Sequence, residues 1–196
     1  MNANIVIKMS TILIVLGLTS ISFAQNTQNN LDLKNNKLFN ISVPSNWASD
    51  YKQFKQDNTV LDVYRYSVKN EACSVTVIHV DETKSKSQDE INREAQKYFN
   101  AKMTKNIFRQ YSKYKLLNED SGQHKGIYYK NISAETQLKG KATVIYGKIN
   151  YRFMSVPGFS YVLTCATNGS SQKIANKIFK ENTGTYMSIL NSFQTK

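Results

Sequence analysis

The chain has 196 residues, enough for one domain with a substantial core or for two small ones. Charged residues make up 20% and the hydrophobic set 40%, a globular composition that excludes wholesale disorder. Lys and Arg number 26 against 14 Asp and Glu, a formal net charge of +12 that favours anionic partners: nucleic acid, acidic headgroups, lipopolysaccharide or acidic proteins. A chain rich in Asn, Lys and Ile also carries such an excess as plain surface composition.

At the amino terminus, Lys8 is a positive n-region, Ile12 to Leu18 an apolar h-region, and Ser22-Phe23-Ala24 a small-x-small site before Gln25. This pattern predicts a secretory signal peptide over residues 1–24, cleaved near Ala24, and therefore a periplasmic or secreted protein. A membrane anchor needs ~20 apolar residues; Thr11 to Ala24 is shorter and carries a Gly and several hydroxyls. Losing Lys8 takes the charge from +12 to +11. No Cys follows the cleavage site, which argues against a lipoprotein anchor, and no later stretch predicts a transmembrane segment in the mature chain.

Residues 25–37, QNTQNNLDLKNNK, read as a flexible leader, and a single domain is expected over 38–196. Phe39, Ile41 and Val43 alternate with polar neighbours, a half-buried strand that Pro44 ends. Trp47 follows in a turn, placed to cover the end of a core. A short strand at Tyr51 to Gln56, a better one at Thr59 to Val68, a turn at Lys69-Asn70-Glu71 and a strand at Ala72 to Val80 come next. Ser87-Gln88-Asp89-Glu90 is a capping box, and Ile91, Ala95, Tyr98, Phe99 and Met103 then recur on one helical face, continuing towards Ile107. Tyr114 to Glu119 reads as a strand, Asp120-Ser121-Gly122 as its turn, and Ile127 to Leu138 as the next strand.

Lys141 to Asn168 reads as two long strands joined at Pro157-Gly158, where Pro pre-sets φ and Gly accepts a positive one. Both parities of this pair carry apolar side chains, which predicts the middle of a sheet. A helical period follows through Ile174, Ile178, Phe179, Tyr186, Ile189, Leu190 and Phe193, with Gly184 predicting two short helices or a kink. Strands, a helix, more strands and closing helices add up to an α+β fold on an antiparallel β-sheet with helices packed on its faces.

This order resembles the PsbP-like group of small α+β proteins, which includes the DcrB-like bacterial envelope proteins. The likeness rests on Phe39-Asn40-Ile41-Ser42-Val43-Pro44 with Trp47, the helix from Ser87, Gly126, Tyr161-Val162-Leu163-Thr164 and Ile189-Leu190-Asn191-Ser192-Phe193. The resemblance implies a binding or accessory role and carries over no catalytic residue.

The chemistry-bearing residues are few. His79 lies near a strand end on the parity of Val75 and Val77, and His124 sits in a polar turn beside Lys125; neither has metal-ligand spacing, and nothing points to a cofactor. Asp81-Glu82, Asp89-Glu90 and Glu119-Asp120 are neighbours in sequence, which does not bring carboxylates to one site. Cys73 and Cys165 both fall on strands; in an exported chain they pair as a disulfide or pack as two buried thiols. Two functions remain in view: an exported envelope binding or accessory protein, non-catalytic, and an exported enzyme whose residues converge only in the fold. An envelope protein is one expected partner and an anionic lipid or lipopolysaccharide surface another; export argues against nucleic acid. Arg93, Lys97, Lys102, Lys105 and Arg109 spread along the polar side of the first helix, either as an anion-docking face or as a solvated one.

Overall fold

The computed structural model describes residues 31–56, 59–140 and 143–196; the signal-peptide reading lies outside the described residues. The strands are β1 (Leu31–Asn35), β2 (Phe39–Pro44), β3 (Ala48–Gln56), β4 (Thr59–Val68), β5 (Glu71–His79), β6 (Lys113–His124), β7 (Ile127–Lys139), β8 (Val144–Val156), β9 (Phe159–Gly169) and β10 (Gln194–Thr195). The helices are α1 (Gln88–Tyr98), α2 (Ala101–Phe108) and α3 (Gln172–Ser192). Seven strands form one antiparallel sheet in the order β3-β4-β5-β9-β8-β7-β6, and β1-β2-β10 form a second, smaller sheet.

The doubly apolar hairpin lands where its sequence requires. β9 is the middle strand of seven, between β5 and β8. Tyr161, Leu163 and Cys165 point to a core shared with Phe39, Ile41 and Val43 of β2 and Phe179, Tyr186 and Ile189 of α3. Val162 and Ala166 point to the other core, under Ala95 of α1, Phe99 just after it, and Met103 and Phe108 of α2. Val156 pairs with Phe159 across Pro157-Gly158, where Gly158 takes φ +83. Trp47 is 7% exposed and meets the Tyr186 ring at 6.5 Å, closing the end of the first core.

Four expectations change. The domain begins before Leu38, because Leu31–Asn35 already pairs with Asn40–Pro44; Asn36 accepts from the amides of Leu38 and Phe39 and makes the turn between these strands. The first helix is two. Its stripe does continue through Met103, but Asn100 breaks the rod and caps α2, its side-chain oxygen accepting from Lys102 N and Met103 N. β6 runs straight through Asp120-Ser121-Gly122, and the reversal falls at Lys125-Gly126, with φ 50 and 77 and His124 paired to Ile127. Two successive positive φ values suit the twist of a two-residue hairpin, so this turn prevails over the better turn composition upstream. Finally, α3 is one helix through Gly184, where an added Cβ would meet nothing within 4 Å. The cost of a helical Gly, about 1 kcal/mol, is small beside the burial of Phe179, Tyr186, Ile189 and Leu190 on both sides of it.

Candidate anion-docking site

The site is set by the end of α2. Met103, Thr104 and Phe108 are its buried side, which leaves Lys102 and Lys105, and Arg109 just beyond them, facing solvent. Phe108 is fully buried; it stacks on Tyr114 at 4.8 Å, lies 5.9 Å from Tyr111 and meets Tyr151 edge-on at 5.9 Å. The chain then turns onto β6, with Tyr111 N donating to Phe108 O, and Ser112 pinned to Gln137 O of β7 through both its amide and its hydroxyl. Tyr111 and Tyr151 share a hydrogen bond at 3.3 Å, and burial pushes both phenols above their ordinary range, so they stay neutral.

These elements enclose an open cleft of about 460 Å³. Its floor is aromatic (Phe108, Tyr111 and Tyr114), and its rim carries Lys105, Arg109 and Lys113, with Asn106 and Ser112 between them. Among the described residues no carboxylate stands within ion-pair distance of these three cations. The nearest acid by sequence, Glu119, is taken up by the Thr104 hydroxyl and Lys130. The cleft therefore presents three exposed cations beside an aromatic lining.

All five cations expected along the first helix are exposed, but the break at Asn100 divides them. Lys105 and Arg109 enter the cleft, with Lys102 on the same helix. Arg93 and Lys97 belong to α1: Lys97 is in its last turn, where a cation suits the helix dipole, and Arg93 interacts with Glu90 of the capping box. Lys113 is the member that sequence reasoning missed. It lines the cleft at the start of β6, where the turn at Tyr111-Ser112 brings that strand end to α2; Tyr114, on the other parity of the strand, is the residue that stacks on Phe108.

A second polar cluster lies at the β3–β4–β5 end of the sheet. Asp62, 4% exposed, accepts from Tyr51 OH at 2.7 Å and Gln53 Nε2 at 2.8 Å through one oxygen, and its other oxygen stands 2.7 Å from His79 Nε2. Sequence reasoning missed Asp62, because only strand register brings it to His79. Every one of these bonds ties β3 or β5 to β4. Among the described residues no group of three His, Cys, Asp or Glu is placed to hold a metal ion.

Burial alone would raise the Asp62 carboxyl, but the hydrogen bonds from Tyr51, His79 and Gln53 outweigh it and hold it below the usual aspartate range. The bond to Asp62 in turn pushes Tyr51 up to about 12. A carboxyl held lower in the fold than in the unfolded chain adds stability above about pH 4, and that stability fades as pH falls through the folded value. Asp62→Asn should therefore lower the urea midpoint at pH 7, with the gap to the parent closing progressively below about pH 4. A gap that is the same at pH 7 and pH 3 would show that the charge of Asp62 is not what the cluster uses.

The two sheets, the paired cores and the helix placement define a PsbP-like α+β fold. The solution structure of cyanobacterial PsbP (CyanoP) from Synechocystis sp. PCC 6803 matches with a TM-score of 0.55 and 12% identity, covering 89% of this chain and 98% of that one. A Pseudomonas aeruginosa protein of unknown function, PA94, aligns over 79% of this chain and 94% of its own at 13% identity, with a TM-score of only 0.33. No family model matches the sequence, and neither does any curated protein. At these identities the likeness concerns the fold alone.

Proposed function

We propose that this is an exported, non-catalytic binding or accessory protein of the cell envelope that docks on an anionic surface through the cleft at the end of α2. The observation that carries the reading is the set Lys105, Arg109 and Lys113 around an aromatic floor with no carboxylate partner among the described residues. The Cys73–Cys165 bond suits an oxidising compartment, and the signal-like amino terminus suits export. No helix among the described residues is long and apolar enough to cross a membrane. An enzyme would have the Asp62 cluster to draw on, but there the hydrogen bonds hold strands together.

The test is co-sedimentation of the protein, purified after export, with phosphatidylglycerol vesicles. The parent should bind at low salt and weaken steeply as the screening length shortens from ~30 Å at 0.01 M towards ~8 Å at physiological ionic strength. Lys105→Gln, Arg109→Gln and Lys113→Gln together should lower low-salt affinity by about tenfold or more, on the order of 1 kcal/mol per cation near a charged surface. Equal binding by parent and triple variant would overturn the reading.

A further inference from the structure

The cleft does not end at its cations. Tyr114 of its floor is still 41% exposed, and beyond it Leu116 and Leu138 are 42% and 43% exposed. Register places them on one side of the sheet. Tyr114 pairs with Thr136 and Leu116 with Ala134, and Leu138 follows Ala134 and Thr136 at the two-residue period of a strand. Ala134 and Thr136 are buried on that side, whereas Leu138 emerges at the end of the row. Leu117, at 40% exposure, sits where β6 bulges between Leu116 and Asn118.

Phosphate alone explains the rim and leaves this row unexplained. A soluble polyanion or nucleic acid backbone is matched by cations and gains little from aliphatic side chains. A phospholipid bilayer presents both chemistries in one plane, phosphates above and acyl chains a few ångströms below. Tyr belongs at that boundary, with its ring in the apolar layer and its hydroxyl in the wet one. Long Lys and Arg side chains reach up to the headgroups while their stems lie along apolar surface. The net charge, +12 for the full chain and +11 without Lys8, also favours approach to an anionic plane.

Building on the anion-docking reading above, we propose that this end of the molecule seats in the interface of an anionic phospholipid bilayer. Lys105, Arg109 and Lys113 engage headgroup phosphates, and Tyr114, Leu116 and Leu138 enter the layer beneath. The docking is peripheral: side chains insert, and no segment of this face spans.

Three proteins separate the two ideas on the same phosphatidylglycerol vesicles: the parent, the cation variant with Lys105→Gln, Arg109→Gln and Lys113→Gln, and an apolar variant with Leu116→Ser and Leu138→Ser. Both leucines are exposed, so the apolar variant should keep the parent's thermal midpoint, measured first. The cation variant loses the salt-sensitive part of binding. The apolar variant keeps the salt slope and binds about tenfold more weakly at every salt, because apolar insertion is not screened. It should also raise the surface pressure of a phosphatidylglycerol monolayer less than the parent does. If the apolar variant matches the parent in both assays while the cation variant fails, docking is electrostatic only and the insertion is overturned, with the anion-docking reading intact. If soluble polyphosphate is bound as tightly as the vesicles, a free anion is the ligand and the insertion is likewise overturned. If the parent ignores the vesicles and binds an acidic protein instead, the bilayer proposal falls.

Discussion

Reduction of the Cys73–Cys165 bond is expected to lower the stability of the fold by about 4–5 kcal/mol, which follows from the chain entropy of the loop it closes. The two residues are partners in the β5–β9 register, 92 positions apart in sequence, with Cα atoms 4.1 Å apart and both side chains buried in the first core. β9 is the central strand, so the bond joins the middle of the sheet to its β3–β4–β5 side. Against a typical total of roughly 5–15 kcal/mol, such a loss leaves the chain near its folding threshold. Urea unfolding with and without reductant measures it, and intact mass should rise by two hydrogen atoms on reduction, the reductant supplying the two electrons. The double substitution Cys73→Ala and Cys165→Ala should reproduce the reduced curve. A midpoint indifferent to reductant would remove the bond from the stability of the fold.

Arg152→Met is expected to cost about 3 kcal/mol, through buried acceptors left unpaired rather than through volume. Arg152 is 8% exposed on β8; its Nε donates to Asn131 Oδ1 at 2.9 Å, and its Nη1 donates to Leu190 O at 2.9 Å and Asn191 Oδ1 at 3.1 Å. Leu190 belongs to the last turn of α3, where carbonyls have no intrahelical partner and the helix dipole is negative. Arg152 thus closes that helix end and fastens it to β8, with its guanidinium 5.1 Å from the Tyr129 ring centroid. Burial presses its pKa down, and Tyr129 and Asp120 press it back up. Arg152→Lys keeps the charge but cannot donate in two directions from a planar fork, so it should recover less than half of the loss. Equal urea midpoints for Arg152→Met and the parent would show that α3 closes without it.

The fold was legible where one pattern had no competitor. Apolar residues on both parities of β8 and β9 require cover on two faces, and only a central position in the sheet provides it. Ser87 and Glu90 announced the start of α1, and both bonds of that capping box are present, at 2.8 and 3.3 Å. Legibility failed where two signals overlapped. The stripe through Phe99, Met103 and Ile107 masked Asn100, a good N-cap lying within an unbroken apolar period. Asp120-Ser121-Gly122 outranked Lys125-Gly126 as turn composition, since nothing in a Lys says that it will take a positive φ. Leu31 and Leu33 stay exposed in β1, so burial left no trace of that strand in the sequence. The candidate site was half readable. Lys105 and Arg109 could be read on the polar side of the first helix and just beyond it, but Lys113 joins them only because Ser112 is bound to β7, and Asp62 meets His79 only through register.

The seven-stranded sheet is open, and among the described residues its two unpaired rims are β3 and β6. A protein that gathers on a surface raises its own local concentration, and bare strand rims would then join copy to copy into an extended aggregate. β3 meets that hazard with exposed Lys52 and Lys55. β6 carries exposed Lys113 and Lys115 and breaks its own ladder at the bulge beside Leu117, so a second copy would find charge and a misfit instead of a template. In the docking proposed above, Lys113 would both hold the molecule against its surface and keep neighbouring copies from fusing, so a change there that improved one property would be felt in the other.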